Sequence, residues 1–327
     1  MASPPIFHIG GPNSLQKKSF SGSVLARSLV LSSISMLLFC LGFFVLPFGV
    51  AAIIFSPTPM ALLGAREGKI MMTWGILGVV MGLAIGFSPM FALSFLLGHG
   101  LLCFGLTLPL GKLEKGSESL LFCIIISIAS KMLFVAVIVV LTGNNPFTMD
   151  LDAMQNLYPG ILRGLSQEDL SRMAENIRYM APFFIITYSM LDSFVNYKLC
   201  ESLQRGRDVK FAPLPLFSEW RFPVSFVYVF VFAFVLPFIV VDNDAQLWTM
   251  VQLNLKFIVL FFFFLQGLSF AWWGLGKLAE RRPFILSPPL RAMLICLLVM
   301  PVFHMWIIAL GLCDMCFDLR NKKLKRV

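Results

Sequence analysis

The sequence predicts an all-α fold, a polytopic bundle of eight or nine transmembrane helices with one extracytoplasmic amphipathic helix. Three observations carry that prediction. Hydrophobic residues make up 58% of the 327, and charged residues only 13%, about half the ~25% of an average soluble domain. Mean hydropathy is +0.85, and 34 residues are Phe. The apolar residues are also gathered into runs near the ~20 residues that a ~30 Å hydrocarbon core requires of a helix. No soluble core of this size hides so much apolar surface.

The elements follow in order. Residues 1–22 are rich in Pro, Gly and Ser and carry Lys17 and Lys18, which predicts a flexible cytoplasmic tail. A single transmembrane domain over 23–316 comes next. Its apolar segments run over about 24–46, 47–64, 69–87, 89–111, 117–142, 181–200, 222–241, 247–276 and 289–313. In lipid, their backbone amides are satisfied only by helices. The first run, after Arg27, reads as a retained signal anchor. The first two segments are separated only by Pro47. A basic C-terminal tail occupies 317–327.

Charge orients the bundle. With the N-terminus inside and nine crossings, sixteen Lys and Arg fall in inner loops and three, Arg163, Arg172 and Arg178, in outer ones. Cytoplasmic loops carry such an excess, and the reading places the chain in a bacterial inner membrane. The tail from Arg320 to Arg326 opposes this count. It would come inside if either the 24–64 region or the last segment, interrupted by Pro301, did not fully cross. The net charge of +9 is explained by dispersed loop cations, so no nucleic-acid partner is expected. The lipid bilayer is the expected surrounding.

The 143–180 loop is the one sizeable extramembrane segment. Ser166-Gln167-Glu168-Asp169 resembles a capping box with Asp in the third place. Leu170, Met173, Ala174 and Ile177 follow at helical spacing, predicting an amphipathic helix on the outer membrane surface. Gly75, Gly78, Gly82 and Gly86 share one helix face and read as an internal packing surface.

Ionisable groups inside membrane helices are the candidates for function, because each costs about 3 kcal/mol on insertion scales unless it faces a cavity or a partner. Lys131, Asp192 and Lys256 stand out, with His99 beside them. Counting ~1.5 Å per residue from the outer ends puts all four ~14–16 Å deep. Tyr188, Asp192 and Asn196 recur at i, i+4 and i+8, a polar stripe that lipid does not tolerate. Gln252, Lys256 and Gln266 fall within an arc of about 80° on a helical wheel. The pattern predicts a net-positive midplane pocket for an anionic or zwitterionic small molecule. Lys131, Asp192, Lys256, Tyr188, Asn196, Gln266 and His99 are its ligand-binding candidates, and Asp192 pairs with Lys131 or Lys256 when the pocket is empty. The competing reading is a structural ion pair locking the helices.

Other chemistry finds little footing. The seven Cys read as small apolar residues in helices. Cys313-Asp314-Met315-Cys316 has metal-like spacing but lacks the second pair of a closed zinc site. No P-loop, nucleophile elbow or His-Glu-x-x-His pattern is present. Neither enzymatic activity nor a cofactor is expected.

Pro213-Leu214-Pro215 followed by Ser218-Glu219-Trp220-Arg221-Phe222-Pro223, the run from Asn254 to Gln266-Gly267, and Leu310-Gly311-Leu312-Cys313-Asp314 with Phe317-Asp318-Leu319-Arg320 together resemble the YybS-like family of bacterial membrane proteins. The early helix pair broken at Pro47 resembles it too. No activity is established for that family. It is distantly similar to the substrate-binding subunits of energy-coupling-factor transporters, which capture a vitamin or metal from outside and depend on separate ATPase and coupling subunits. The resemblance therefore implies a small-molecule substrate and such partner subunits. This chain is several helices longer, and its first helix carries Ser28 and Ser32 but no Ala-x-x-x-Ala face. The alternative is a non-transporting membrane scaffold acting through its helix faces and basic cytoplasmic loops.

Overall fold

The computed structural model describes residues 22–45, 49–143, 145–148, 166–205, 211–239, 245–281, 287–300 and 302–320. The expectations for the N-terminal tail, residues 144 and 149–165 of the 143–180 loop, Pro47, Pro301 and the last seven residues of the basic tail fall outside them. All regular structure among the described residues is helical, without a strand. Five helices are long and apolar enough to cross a bilayer: Gly22–Phe44, Lys69–Gly86, Pro89–Thr107, Gly116–Thr142 and Gln246–Arg281.

Helix α1 (Gly22–Phe44) is followed by a return in two pieces, α2 (Gly49–Phe55) and α3 (Pro57–Glu67). The break lies where the sequence reads Ser56-Pro57-Thr58-Pro59, because proline has no N–H to give to the preceding turn. Carbonyls around the break take side-chain donors from three other helices. Ser35 donates to Ser56 O, Asn196 to Ile54 O, and the Cys103 thiol to Pro57 O. Buried backbone is thereby satisfied where the helix no longer does it. Arg27, near the start of α1, meets Glu67, at the end of α3, at 2.9 Å. The pair α1 and α2–α3 is thus a complete round trip.

Helix α4 (Lys69–Gly86) lies against this pair. A Cβ at Gly75 would meet Leu63, Ser32 and Met60, and one at Gly82 would meet Met36, whereas Gly78 and Gly86 have open space. Half of the glycine face is therefore internal packing. The next crossing is α5 (Pro89–Phe95), one π-helical turn over Leu96–Gly100, and α6 (Leu101–Thr107). Ser88 caps it by accepting from Phe91 N–H. The π turn loosens the backbone ladder, and Ser130 donates its hydroxyl to Leu97 O.

Helix α7 (Gly116–Thr142) ends on Gly143 in the left-handed region, where the missing Cβ removes the steric penalty. Helix α8 (Gln167–Tyr179) opens with the expected capping box. Ser166 Oγ accepts from Asp169 N–H at 3.1 Å, and Asp169 Oδ2 takes the return bond from Ser166 N–H. Helix α9 (Ala181–Leu203) is long enough to cross, but its polar stripe lowers its hydropathy. Ser189, Asp192, Ser193 and Asn196 are all buried in the bundle.

A 3-10 turn at Phe217–Glu219 precedes α10 (Ser225–Ile239) and α11 (Ala245–Arg281). At 37 residues, α11 is about 55 Å long and outreaches a bilayer core. The last apolar segment, expected as one crossing, is two helices, α12 (Pro288–Leu298) and α13 (His304–Phe317). Fourteen residues rise only about 21 Å, so α13 alone does not span ~30 Å of hydrocarbon. Gly267 of α11 and Gly311 of α13 let the two backbones touch. A Cβ on either would strike a carbonyl oxygen of the other helix.

Candidate functional site

Helices α7 and α9 bring the central residues together. Lys131 Nζ lies 2.8 Å from Asp192 Oδ2 and 2.6 Å from Ser127 Oγ, one turn earlier on its own helix. Asp192 Oδ1 accepts from Asn196 Nδ2 at 2.8 Å. Asn196 Oδ1 accepts from the Thr58 hydroxyl at 2.6 Å. A continuous chain of polar contacts thus runs from α7 through α9 to the broken helix α2–α3. The ammonium also sits 4.9 Å from the centre of the Tyr188 ring, within range of a cation–π contact.

Lys131 borders open space. A cavity of about 590 Å³ is lined by Lys131, His99 and Tyr188 together with a largely aromatic wall that includes Phe39, Phe91 and Phe134. Two of the three ammonium N–H groups are spent on Ser127 and Asp192. His99 stands on the π turn, a deformation that recurs at functional sites. Its ring packs 5.5 Å from Phe39, and Nδ1 has no hydrogen-bond partner among the described residues. The aromatic wall suits a flat apolar body, while Lys131 and His99 suit one or two polar groups on it.

Five of the seven sequence candidates, His99, Lys131, Tyr188, Asp192 and Asn196, assemble here. Lys256 and Gln266 are not brought to the pocket. Lys256 is exposed on α11, with its ammonium 5.0 Å from the Phe234 ring, and Asp192 is paired with Lys131 instead. The anticipated net positive charge disappears with that choice, because Lys131 is matched by Asp192. A helical wheel assigned Lys256 and Gln266 to one face but could not show which neighbour that face meets. The sequence reading also missed Thr58 and the Phe lining. The Ser56-Pro57-Thr58-Pro59 run was the available signal for the former. Phe is too frequent here for any one ring to stand out.

Gln266 belongs to a second buried polar cluster. Its Nε2 donates to Asp314 Oδ2 at 2.6 Å, and its Oε1 accepts from Phe222 N–H. Arg320 Nε donates to the same Asp314 oxygen at 3.0 Å, and Nη1 donates to Ser218 O and Ser269 Oγ. Asp318, at φ 45° in the left-handed region, ends α13 and turns the chain so that Arg320 reaches back six positions. Asp318 itself pairs with Arg221 at 3.0 Å. The Ser218–Phe222 stretch, Gln266 and the closing Asp314–Arg320 motif are thus one knot in space. Asn254 makes a third junction, donating to Tyr179 O and accepting from Phe183 N–H where α8 meets α9.

Among the described residues no cluster of three His, Cys, Asp or Glu is arranged to hold a metal. The Cys313 and Cys316 thiols are free and exposed.

The chain is 25% identical over 313 residues to "Uncharacterized protein YybS" of Bacillus subtilis (strain 168), covering 91% of this chain and 97% of that one. No solved structure matches it. The family described as "Predicted membrane protein (DUF2232)" matches residues 33–315. The chain is thus a multi-pass membrane protein that belongs to the DUF2232 family.

Proposed function

We propose that the protein binds a small solute in the 590 Å³ cavity beside Lys131, as the capture step of uptake across a bacterial inner membrane, without itself catalysing a reaction. The observation that carries this reading is the meeting of a buried ion pair with a chamber that exceeds its own needs. A structural lock needs no cavity. Here Lys131 keeps an unspent donor beside a volume typical of small-molecule sites, and His99, whose buried Nδ1 has no partner among the described residues, lines the same volume. Because Lys131 is matched by Asp192, the favoured solute is neutral or zwitterionic, with a flat apolar body and a hydrogen-bonding edge. A fully anionic solute is less well matched, since it would have to compete with Asp192 for the ammonium. The partners of such a capture subunit would be separate coupling and ATPase subunits.

Native mass spectrometry of the purified protein, comparing wild type with Gly98→Leu, tests this. Gly98 lines the chamber, and a Cβ there meets nothing within 4 Å, so a larger side chain takes up solute space without touching the ion pair. The expected result is a discrete bound mass on wild type that is absent from Gly98→Leu. A wild-type protein that is empty across a panel of neutral and zwitterionic aromatic solutes would overturn the proposal.

A further inference from the structure

A second cavity, of about 930 Å³, lies where the ends of α7 and α9 that flank the 143–180 loop meet the start of α11. Polar groups of Asn145, Arg178 and Gln246 are on its lining. Three apolar side chains line both this cavity and the 590 Å³ chamber: Val135 of α7, Phe147 of the turn after it, and Ile185 of α9. Each comes from a different element, so together they form a partition with open space on both faces. Phe147 is held by its own turn. Its N–H donates to Asn145 Oδ1 at 2.9 Å, and Thr148 N–H and Oγ1 both donate to Asn145 O. Such an Asx-type turn fixes the backbone while leaving the ring free to change rotamer. Val135 and Ile185 stand on regular helix and do not share that freedom.

We infer that the larger cavity is the vestibule through which solute reaches the chamber, and that Phe147, against Val135 and Ile185, is the partition it must pass. The inference rests on the solute-binding reading above and adds its route. A neutral or zwitterionic solute meets polar groups first, in the vestibule, and sheds water there. It then crosses an apolar constriction one side chain thick and arrives beside Lys131 and His99. The partition places a single layer of apolar side chains between the vestibule and the side of the chamber that holds Lys131 and His99.

The test is thiol access to the chamber. Ser94 lines the chamber but not the vestibule, and Ser94→Cys is nearly isosteric. In proteoliposomes of established orientation, a membrane-impermeant methanethiosulfonate is added on the side of the 143–180 loop. Modification at position 94 is followed by peptide mass spectrometry. Position 94 is expected to react from that side, at least about tenfold more slowly when Val135→Trp or Ile185→Trp thickens the partition and faster when Phe147→Ala thins it, as gating by an obstructing side chain demands. Equal rates in all four proteins would overturn the route. So would modification only by the permeant N-ethylmaleimide at a rate indifferent to the partition, since solute would then arrive through lipid. The buried Cys103, Cys123 and Cys200 report misfolding by becoming reactive. If they do so in the Trp variants, Phe147→Ala decides, and its failure to accelerate labelling overturns the inference. A chamber that labels by this route yet never holds solute refutes the binding proposal and spares the route. A chamber that holds solute but labels indifferently does the reverse.

Discussion

Among the described residues, two ion pairs with both partners buried are built from the same chemistry in different surroundings. Lys131–Asp192 joins α7 to α9, and its Lys131 borders a chamber with part of its donor capacity unused. Arg320–Asp314 lies in a packed knot, where the guanidinium Nε and Nη1 donate to Asp314, Ser218 O and Ser269 Oγ while Arg320 Nη2 and Asp314 Oδ1 are buried without a hydrogen-bond partner among the described residues. Both satisfy the requirement that a buried charge be paired. Only the first has somewhere to direct what is left over. Burial and pairing therefore identify neither pair as functional, and the adjoining volume is what separates them.

That contrast can be broken most directly by removing single partners. Asp192→Ala leaves Lys131 buried and unpaired, and is expected to destabilise the protein by about 3–5 kcal/mol, read as a fall in detergent-solubilised unfolding temperature. Arg320→Ala is expected to cost a similar amount by stranding Asp314, but with solute occupancy of the surviving folded fraction unchanged. If Arg320→Ala abolished occupancy in folded protein, the division into two regions would fail. A smaller effect is expected from Gly311→Ala, whose Cβ would meet a backbone carbonyl of α11. Overpacking of that kind costs ~1–3 kcal/mol, and Gly78→Ala, in open space, serves as its silent control. Smallest is Ser166→Ala, which removes the α8 cap at a cost of about 1 kcal/mol. Hydrogen exchange is expected to rise in the first turn of α8 and nowhere near either ion pair.

The sequence made the two regions legible to different degrees. In the first, spacing on α9 was enough: Tyr188, Asp192 and Asn196 share a stripe, and depth placed Lys131 and His99 beside it. In the second, Asp314 and Arg320 lie near the chain end and read as motif and tail. Their partners come from 218, 266 and 269, so the knot exists only through long-range closure. Lys256 shows the opposite failure, since midplane depth alone cannot tell a residue facing inward from one lying along a ring on the outside. The helix break at Ser56 was written in Pro57 and Pro59, yet a run of apolar residues hid it.

The same comparison bears on topology. Arg27 meeting Glu67 brings the start of α1 and the end of α3 to one level, and the last segment is divided into α12 and α13. Eight crossings rather than nine would put both termini on one side and the basic tail with the inner-loop cations. Protease protection of N- and C-terminal tags in the same oriented vesicles is expected to report a common side. Tags on opposite sides would restore the ninth crossing.

The most direct test of the central claim neutralises the first pair without stranding a charge. Lys131→Met combined with Asp192→Leu substitutes apolar side chains for both partners, an exchange that is often neutral or stabilising for a buried pair. The measurement is bound-solute occupancy by native mass spectrometry on protein shown to be folded. If the pair serves the chamber, the double variant keeps an unfolding temperature close to wild type and loses its solute. Undiminished occupancy would show that Lys131 and Asp192 serve only each other.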